Sequence, residues 1–322
     1  MDKSIKKFKS HKGISAIAVI LSVILVIAAA AIGYSYYLSR KTNKVKIDEK
    51  ALDVQPQTDS QYKDIINIAL FGINSTAGQP GRSDSIIILT IDKTRNNARI
   101  STIMKDSYVT IKDHGENKIS NAYAYGGPEL AISTINTNFN LNVKDFLALD
   151  SSNLPKIIDY LGGVNISLTS EDLPYINRYI DYINSANKTS YTYITTEGTH
   201  NLDGNLAIAY TGIRSQDREQ EGNLRSKIVL EALLNRINTY DKSKYPALLE
   251  KLLPLVKTSF SGTDLLKLIE TTSSLSSFQE DRFPRDDNGK STMINGVYYQ
   301  VFDKEITKKQ MHDFIFEGKK SG

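Results

Sequence analysis

Three patterns of apolar and polar residues run along this chain, and each predicts a different kind of element. Residues 14–39, ISAIAVILSVILVIAAAAIGYSYYLS, carry no charged side chain, and a helix of that length exceeds the roughly 30 Å hydrocarbon core of a bilayer. One membrane span over residues 13–39 is the plain expectation. Residues 65–73 (IINIALFGI) and 85–92 (SIIILTID) are short, nearly continuous apolar runs, the signature of strands covered on both faces. Residues 97–104 (NARISTIM) alternate and follow the turn-forming DKTRNN, which predicts a hairpin with the preceding strand.

Helical spacing predicts elements at 128–138, opening near Pro128, and at 152–161, ending at Gly162-Gly163. Residues 202–210 form another candidate. In residues 224–239, LRSKIVLEALLNRINT, Leu224, Ile228, Leu234 and Ile237 recur with charges between them. A short helix is expected over 265–275 and a final strand over 294–302 (INGVYYQVF), which would complete the same sheet. Strands mixed with helices predict an α/β domain built in layers. The organisation expected is a basic tail (1–12), the span (13–39), a polar stalk (40–64), one domain (65–310) with no repeat or dividing linker, and a flexible tail (311–322).

Charge gives the chain an address. The 322 residues hold 40 Lys and Arg against 36 Asp and Glu, and the excess lies at the amino end. Residues 1–46 carry nine basic side chains and the single acid Asp2, leaving 31 basic against 35 acidic residues beyond. Lys3, Lys6, Lys7, Lys9 and Lys12 before the span, and Tyr34, Tyr36 and Tyr37 near its far end, predict a cytoplasmic amino terminus and an extracytoplasmic domain at the cell membrane. A cleaved secretory signal ending near Ala28–Ala31 is the alternative, and either exports residues 60–322. The slightly acidic remainder argues against nucleic acid as a partner. With no cysteine and four histidines, His11, His114, His200 and His312, thiol catalysis and Cys-based zinc are excluded and a histidine metal site is disfavoured. No GxSxG supports a hydrolase triad.

The remaining chemistry gathers at predicted element ends. Asp84 stands just before one strand and Asp106 just after another, 22 residues apart; α/β folds present functional groups at strand ends. One or two carboxylates with phosphate oxygens and waters is a common Mg²⁺ arrangement, while a turn cap or salt bridge is the structural reading of the same acids. Arg82, Lys105, Arg214, Arg218, Arg225 and Lys227 also lie near element ends, where guanidinium forks suit a diphosphate. For Arg218 and Lys227 solvated helix surface is the simpler reading. YAYGGPE (123–129) offers rings either to an apolar lipid groove or to the core, and the aromatic-rich 178–200 segment to a pocket cover.

In one order, NIALFGINS (67–75), GRSDSIIILTID (81–92), STIMKDSYV (101–109), KISNAYAYGGPEL (118–130), IIDYLGGV (157–164), GTHNLDGNLAIAYTGIR (198–214) and LRSKIVLEALL (224–234) resemble the LytR-CpsA-Psr family, membrane-anchored enzymes of mainly Gram-positive bacteria. The resemblance implies an α-β-α domain around a central mixed sheet. It also implies a phosphotransferase that moves a cell-wall or capsular glycopolymer from undecaprenyl diphosphate to peptidoglycan, or to a glycoprotein acceptor, releasing undecaprenyl phosphate. By that resemblance Asp84 holds Mg²⁺, or Mn²⁺, while Arg82 and Arg214 bind the diphosphate. Lys105 stands at the arginine of the family's PRD motif, with Asp106 as a base or an orienter of Lys105, and Arg225 keeps a further basic position.

Four of the departures from the family pattern remove charge, whereas Lys105 for arginine keeps it and Ser226 exchanges one neutral side chain for another. Asn74 replaces a metal-binding Asp, Thr76 and Gly212 replace arginines, Gly222 replaces another, and Ser226 stands at a glutamine. Asn74 still offers a carbonyl oxygen to the metal but no negative charge. The alternative reading is therefore a catalytically weakened relative that binds lipid-linked polymer or assists envelope polymer assembly.

Overall fold

The structure, a computed structural model, describes residues 43–55, 62–75, 81–187, 190–213, 239–261 and 277–319, with individual positions within 225–237 and 264–271. The described residues form two compact units, one within 154–240 and one from the flanking segments 43–153 and 241–319. Among the described residues no helix is long and apolar enough to cross a membrane, and the span expected over 13–39 lies outside them.

The larger unit is built on a seven-stranded mixed sheet. Its strands are β1 (Asn43–Lys44), β2 (Ile65–Asn74), β3 (Arg82–Asp92), β4 (Asn97–Ile103), β7 (Asp145–Asp150), β10 (Val256–Thr258) and β11 (Ser277–Phe283), in the order β1-β10-β7-β2-β3-β4-β11. β3 and β4 form the predicted hairpin and β2 also pairs antiparallel with β3, whereas β2 with β7 and β4 with β11 are parallel. Burial on both faces explains the unbroken apolar runs: Ile86 and Ile88 lie on one side, Ile87, Leu89 and Ile91 on the other, all at most 2% exposed. Helices α1 (Asn121–Phe139) and α6 (Lys304–Ile315) pack against this sheet, a separate hairpin of β5 (Tyr108–Ile111) and β6 (Gly115–Lys118) follows β4, and α5 (Tyr245–Leu252) precedes β10. α1 starts earlier than expected because Gly126 and Gly127 take non-helical angles, Gly127 at φ 62°, and join a first turn to the run beginning at Pro128. Tyr123 consequently joins the core against Phe71, with ring centroids 5.3 Å apart, and Tyr125 stacks on His114 at the surface.

Three expectations are corrected. Residues 43–55 are packed, not a loose stalk: β1 pairs with β10, and Val45, Ile47, Leu52 and Val54 meet the core, with Leu52 fully buried. The 294–302 segment does not complete the sheet. Asn295 and Gly296, both at positive φ, turn it into a separate hairpin of β12 (Gly289–Ile294) and β13 (Val297–Phe302), and β11 takes the sheet edge instead. Nor are residues 311–316 a flexible tail, since Met311, Phe314, Ile315 and Phe316 are fully buried. The end of the chain is tied down by Arg99, itself fully buried, whose guanidinium donates to the Ile315 carbonyl and, at 2.7 Å, to Asp92.

The smaller unit begins with α2 (Leu154–Tyr160), which packs on α4 (Gly204–Gly212). Asp203 caps α4 by accepting from Leu206 N, and a Cβ at Gly204 would lie 2.0 Å from the Pro155 carbonyl oxygen. Strands β8 (Val164–Leu168) and β9 (Gly198–Leu202) pair antiparallel, and α3 (Leu173–Asn187) buries Ile176, Ile180 and Ile183. The described positions of 225–237 are helical, with Val229, Leu233 and Ile237 inward.

Candidate functional site

The site begins with an irregularity in the β2–β3 ladder. Pairing passes from Gly72 opposite Ser85 to Ile73 opposite Ser83, so Asp84 is the extra residue of a β-bulge. A bulge bends its strand and re-aims the side chain it frees. Asp84 is thereby presented at the sheet end instead of being absorbed into the apolar ladder. Beyond it the strands still pair Asn74 with Arg82.

Four of the expected residues converge here. Asn74 Nδ2 donates to Asp84 Oδ2 at 2.9 Å, and the Lys105 ammonium stands 3.7 Å from Asp84 Oδ1. Arg82 is exposed and has no ion pair or side-chain hydrogen bond among the described residues. Its guanidinium is free to fork onto an anion. Lys105 follows the end of β4, and its loop is fixed by backbone bonds: Ser120 N donates to Lys105 O at 3.2 Å, Ile119 N to Ser107 O at 2.9 Å, and Ser83 N to Ser120 O at 3.1 Å. The bulge, the 105–107 loop and the start of α1 are thus joined through main-chain bonds, which place two cations and a carboxylate beside one another.

Of the two roles expected for Asp106, base or orienter of Lys105, the second lacks its contact. Asp106 Oδ1 pairs with Lys118 at 2.7 Å, while the ion-pair partner of Lys105 is Asp84. Lys118 also lies 5.7 Å from the ring centroids of both Tyr298 and Tyr299, so the β12–β13 hairpin props the pair. Arg225 belongs to the smaller unit, where it donates to Asp172 at 3.1 Å and to the Ile213 carbonyl at 3.3 Å. Asp172 is 2% exposed, and a carboxylate so buried requires a charged partner. Arg214, Arg218, Lys227, Thr76, Gly222 and Ser226 lie outside the described side chains.

One acid went unnoticed in the sequence. Asp150 ends β7 opposite Ile73 and accepts from the Ser75 hydroxyl. Burial works to raise its carboxyl, and hydrogen bonds from Ser152 and Ser75 outweigh that and hold it below the usual carboxylate range. Burial, helped by the Asp150 charge, pushes the Tyr123 phenol up to about 12. The signal was an acid closing the apolar run FLALD, the same reasoning that singled out Asp84.

The donor set suits a hard cation only in part. Among the described residues no group of three or more His, Asp or Glu converges. Asp84 supplies one partly exposed carboxylate, and turning the Asn74 amide would offer a carbonyl oxygen beside it. That set agrees with Mg²⁺ bound largely through substrate phosphate oxygens and water.

An exposed guanidinium, a lysine and a bulge-borne carboxylate thus stand together at the end of the central mixed sheet of an α/β protein. Residues 32–314 match the LytR_cpsA_psr family, and the chain belongs to that family. It is 27% identical over 268 residues to the polyisoprenyl-teichoic acid–peptidoglycan teichoic acid transferase TagU of Oceanobacillus iheyensis, covering 80% of this chain and 78% of that one. A solved structure described as TagT bound to LI-WTA superposes with a TM-score of 0.50 at 26% identity, over 79% of this chain and 91% of that one. TagV of Bacillus subtilis superposes at 0.53 with 22% identity, covering 79% and 98%, and shows the shared fold.

Proposed function

We propose that this protein is a membrane-anchored phosphotransferase that moves a glycopolymer of the teichoic acid class from a polyisoprenyl diphosphate carrier, undecaprenyl diphosphate in the fullest form of the reading, to peptidoglycan. The observation that carries it is the Arg82–Asp84–Lys105 cluster on the bulged sheet end, in a chain similar over most of its length to transferases of that name. Residues 13–39 supply a single-pass anchor with the amino terminus in the cytoplasm and the described domain outside.

The chemistry asked of the site is modest because the diphosphate bond is already activated. An acceptor hydroxyl oxygen forms a new bond to the phosphorus bearing the polymer, its proton lost to solvent. The bond from that phosphorus to the bridging oxygen breaks, and the carrier leaves as its monophosphate. Arg82 forks onto diphosphate oxygens, and Lys105 adds a point charge where negative charge develops. Asp84 positions Lys105 and, with Asn74, holds Mg²⁺, which when bound supplies further neutralisation of phosphate charge. The Asp106–Lys118 pair holds the 105–107 loop in place.

Binding tests this reading directly. The purified chain is expected to bind a short-chain polyisoprenyl diphosphate in calorimetry, and Arg82→Ala to weaken it by roughly tenfold, about 1.5 kcal/mol for one lost charged hydrogen bond. Equal affinity in the two chains would contradict it. The weakened-relative reading is favoured by one observation: the Asn74 amide donates into Asp84 where a carboxylate would add charge.

A further inference from the structure

The sheet has a direction, and the chain enters it from the side of the candidate site. Asn43 belongs to a row of paired residues that runs through Lys257, Ala148, Phe71, Ile86, Ile103 and Phe283. β1 is parallel to β10, which is antiparallel to β7, which is parallel to β2. β1 therefore runs opposite to β2, and the chain preceding Asn43 leaves the sheet at the end where β2 finishes at Asn74. Asp84 and Lys105 lie two residues beyond that same row, at the same end. If the anchor stops at residue 39, the chain to Asn43 spans at most about 14 Å. On the anchor assigned above, the end of the sheet that carries the site is therefore the end to which the membrane tether leads.

The β12–β13 hairpin stands at this end. Its base is fastened to the residues after Lys105: Gln300 N donates to Asp106 O at 2.9 Å, Gln300 bridges Ser107, and Tyr299 meets Tyr108 edge to face with centroids 4.8 Å apart. Its tip is apolar. Met293 pairs across from Tyr298 and Ile294 from Val297, and Met293, Val297 and Tyr298 are 62%, 43% and 42% exposed. Exposed Lys290, opposite Val301, lies at the foot of the hairpin, as do the exposed acids Asp286, which is paired with Arg282, and Asp287 of the preceding turn. A short apolar tip with a tyrosine at its edge matches the interfacial region of a bilayer.

We infer that the tip of the β12–β13 hairpin, formed by Met293, Ile294, Val297 and Tyr298, seats in the bilayer interface and holds the Arg82–Asp84–Lys105 end of the sheet over a membrane-borne substrate. The inference rests on the anchor assigned above.

The chain has no tryptophan, so Met293→Trp in the full chain creates a single reporter. The control is Thr94→Trp, in the exposed β3–β4 turn at the opposite end of the sheet. Both are reconstituted in phosphatidylglycerol and phosphatidylethanolamine vesicles, with and without brominated chains. The expected result is emission shifted to the blue and quenched by bromine for Met293→Trp, and neither effect for Thr94→Trp. Unquenched Met293→Trp emission in protein that floats with the vesicles would overturn the docking inference and leave the anchor standing. A blue shift without bromine quenching reports a protein partner at the tip, a second copy included, and equal quenching of both variants reports no preferred face; either overturns it. Protein that does not float overturns the anchor and this inference together, a result distinct from any fluorescence outcome.

Discussion

Asn74 donates its side-chain amide to Asp84 at 2.9 Å, across the bulge that sets Asp84 apart from the β2–β3 ladder. The contact makes Asp84 a hydrogen-bonded single carboxylate, where a second acid at position 74 would form a divalent-cation pair. Asn74→Asp replaces the donor by a second negative charge and should raise Mg²⁺ affinity by roughly tenfold, about 1.4 kcal/mol. Calorimetric titration of both chains with Mg²⁺ checks this, with Asp84→Ala as the chain expected to lose binding. Unchanged affinity in Asn74→Asp would remove position 74 from the metal site.

Lys105 separates the need for charge from the need for a fork. Its ammonium is 3.7 Å from Asp84 and half exposed, so its ion pair adds little to stability. Its contribution should appear in catalysis. Lys105→Met is expected to lower kcat by about 10²-fold, the lower end for loss of one preorganised charge-stabilising group. Lys105→Arg should retain most of the rate and lower KM. A rise in KM with kcat unchanged in Lys105→Met would mean that the charge acts on binding alone.

Acid should loosen the carboxyl-terminal clamp. Burial favours raising the Asp92 carboxyl, but hydrogen bonds from Arg95 and Arg99 outweigh it, and the group sits below its ordinary value. A depressed folded-state value means that its stabilisation is fully present above the unfolded carboxylate range and is lost as pH falls through the folded value. Asp92→Asn leaves fully buried Arg99 without its anion and should cost roughly 3–5 kcal/mol at pH 7. In urea titrations the gap between the two chains should narrow below about pH 4. A gap independent of pH would contradict the assignment.

The segment before β2 belongs to the folded domain. Leu52→Ala should destabilise by roughly 2–5 kcal/mol, as expected of a fully buried leucine, and a chain starting at residue 60 should fold worse than one starting at 43. Thermal melts of the three chains test this, and equal melting temperatures would show that residues 43–55 contribute nothing.

Local patterns revealed the central elements because the physics there is local. The apolar runs at 65–73 and 85–92 and the alternating 97–104 became β2, β3 and β4. Asp84 was legible as an acid before a strand, but the bulge that presents it depends on a register set by two strands at once. The packing of 43–55 was hidden because Val45, Ile47, Leu52 and Val54 are separated by Lys, Asp and Glu, which read as a solvated stalk. Residues 311–316 are hidden for a similar reason: Met311, Phe314 and Ile315 have the spacing of a helix face, but the basic GKKSG end reads as a loose tail. The pairing of Asp106 with Lys118 spans 12 residues and a hairpin, beyond the reach of any sequence spacing rule.

The central claim is transfer at the Asp84 site. The full chain in vesicles should be given a short undecaprenyl-diphosphate glycan, a peptidoglycan oligomer and Mg²⁺, and release of undecaprenyl phosphate followed beside Asp84→Ala. Release that needs the acceptor and disappears in Asp84→Ala is the predicted result. Intact binding of the lipid-linked glycan with no release, under conditions where an active relative turns over, would contradict the transferase account and leave a binding protein in its place.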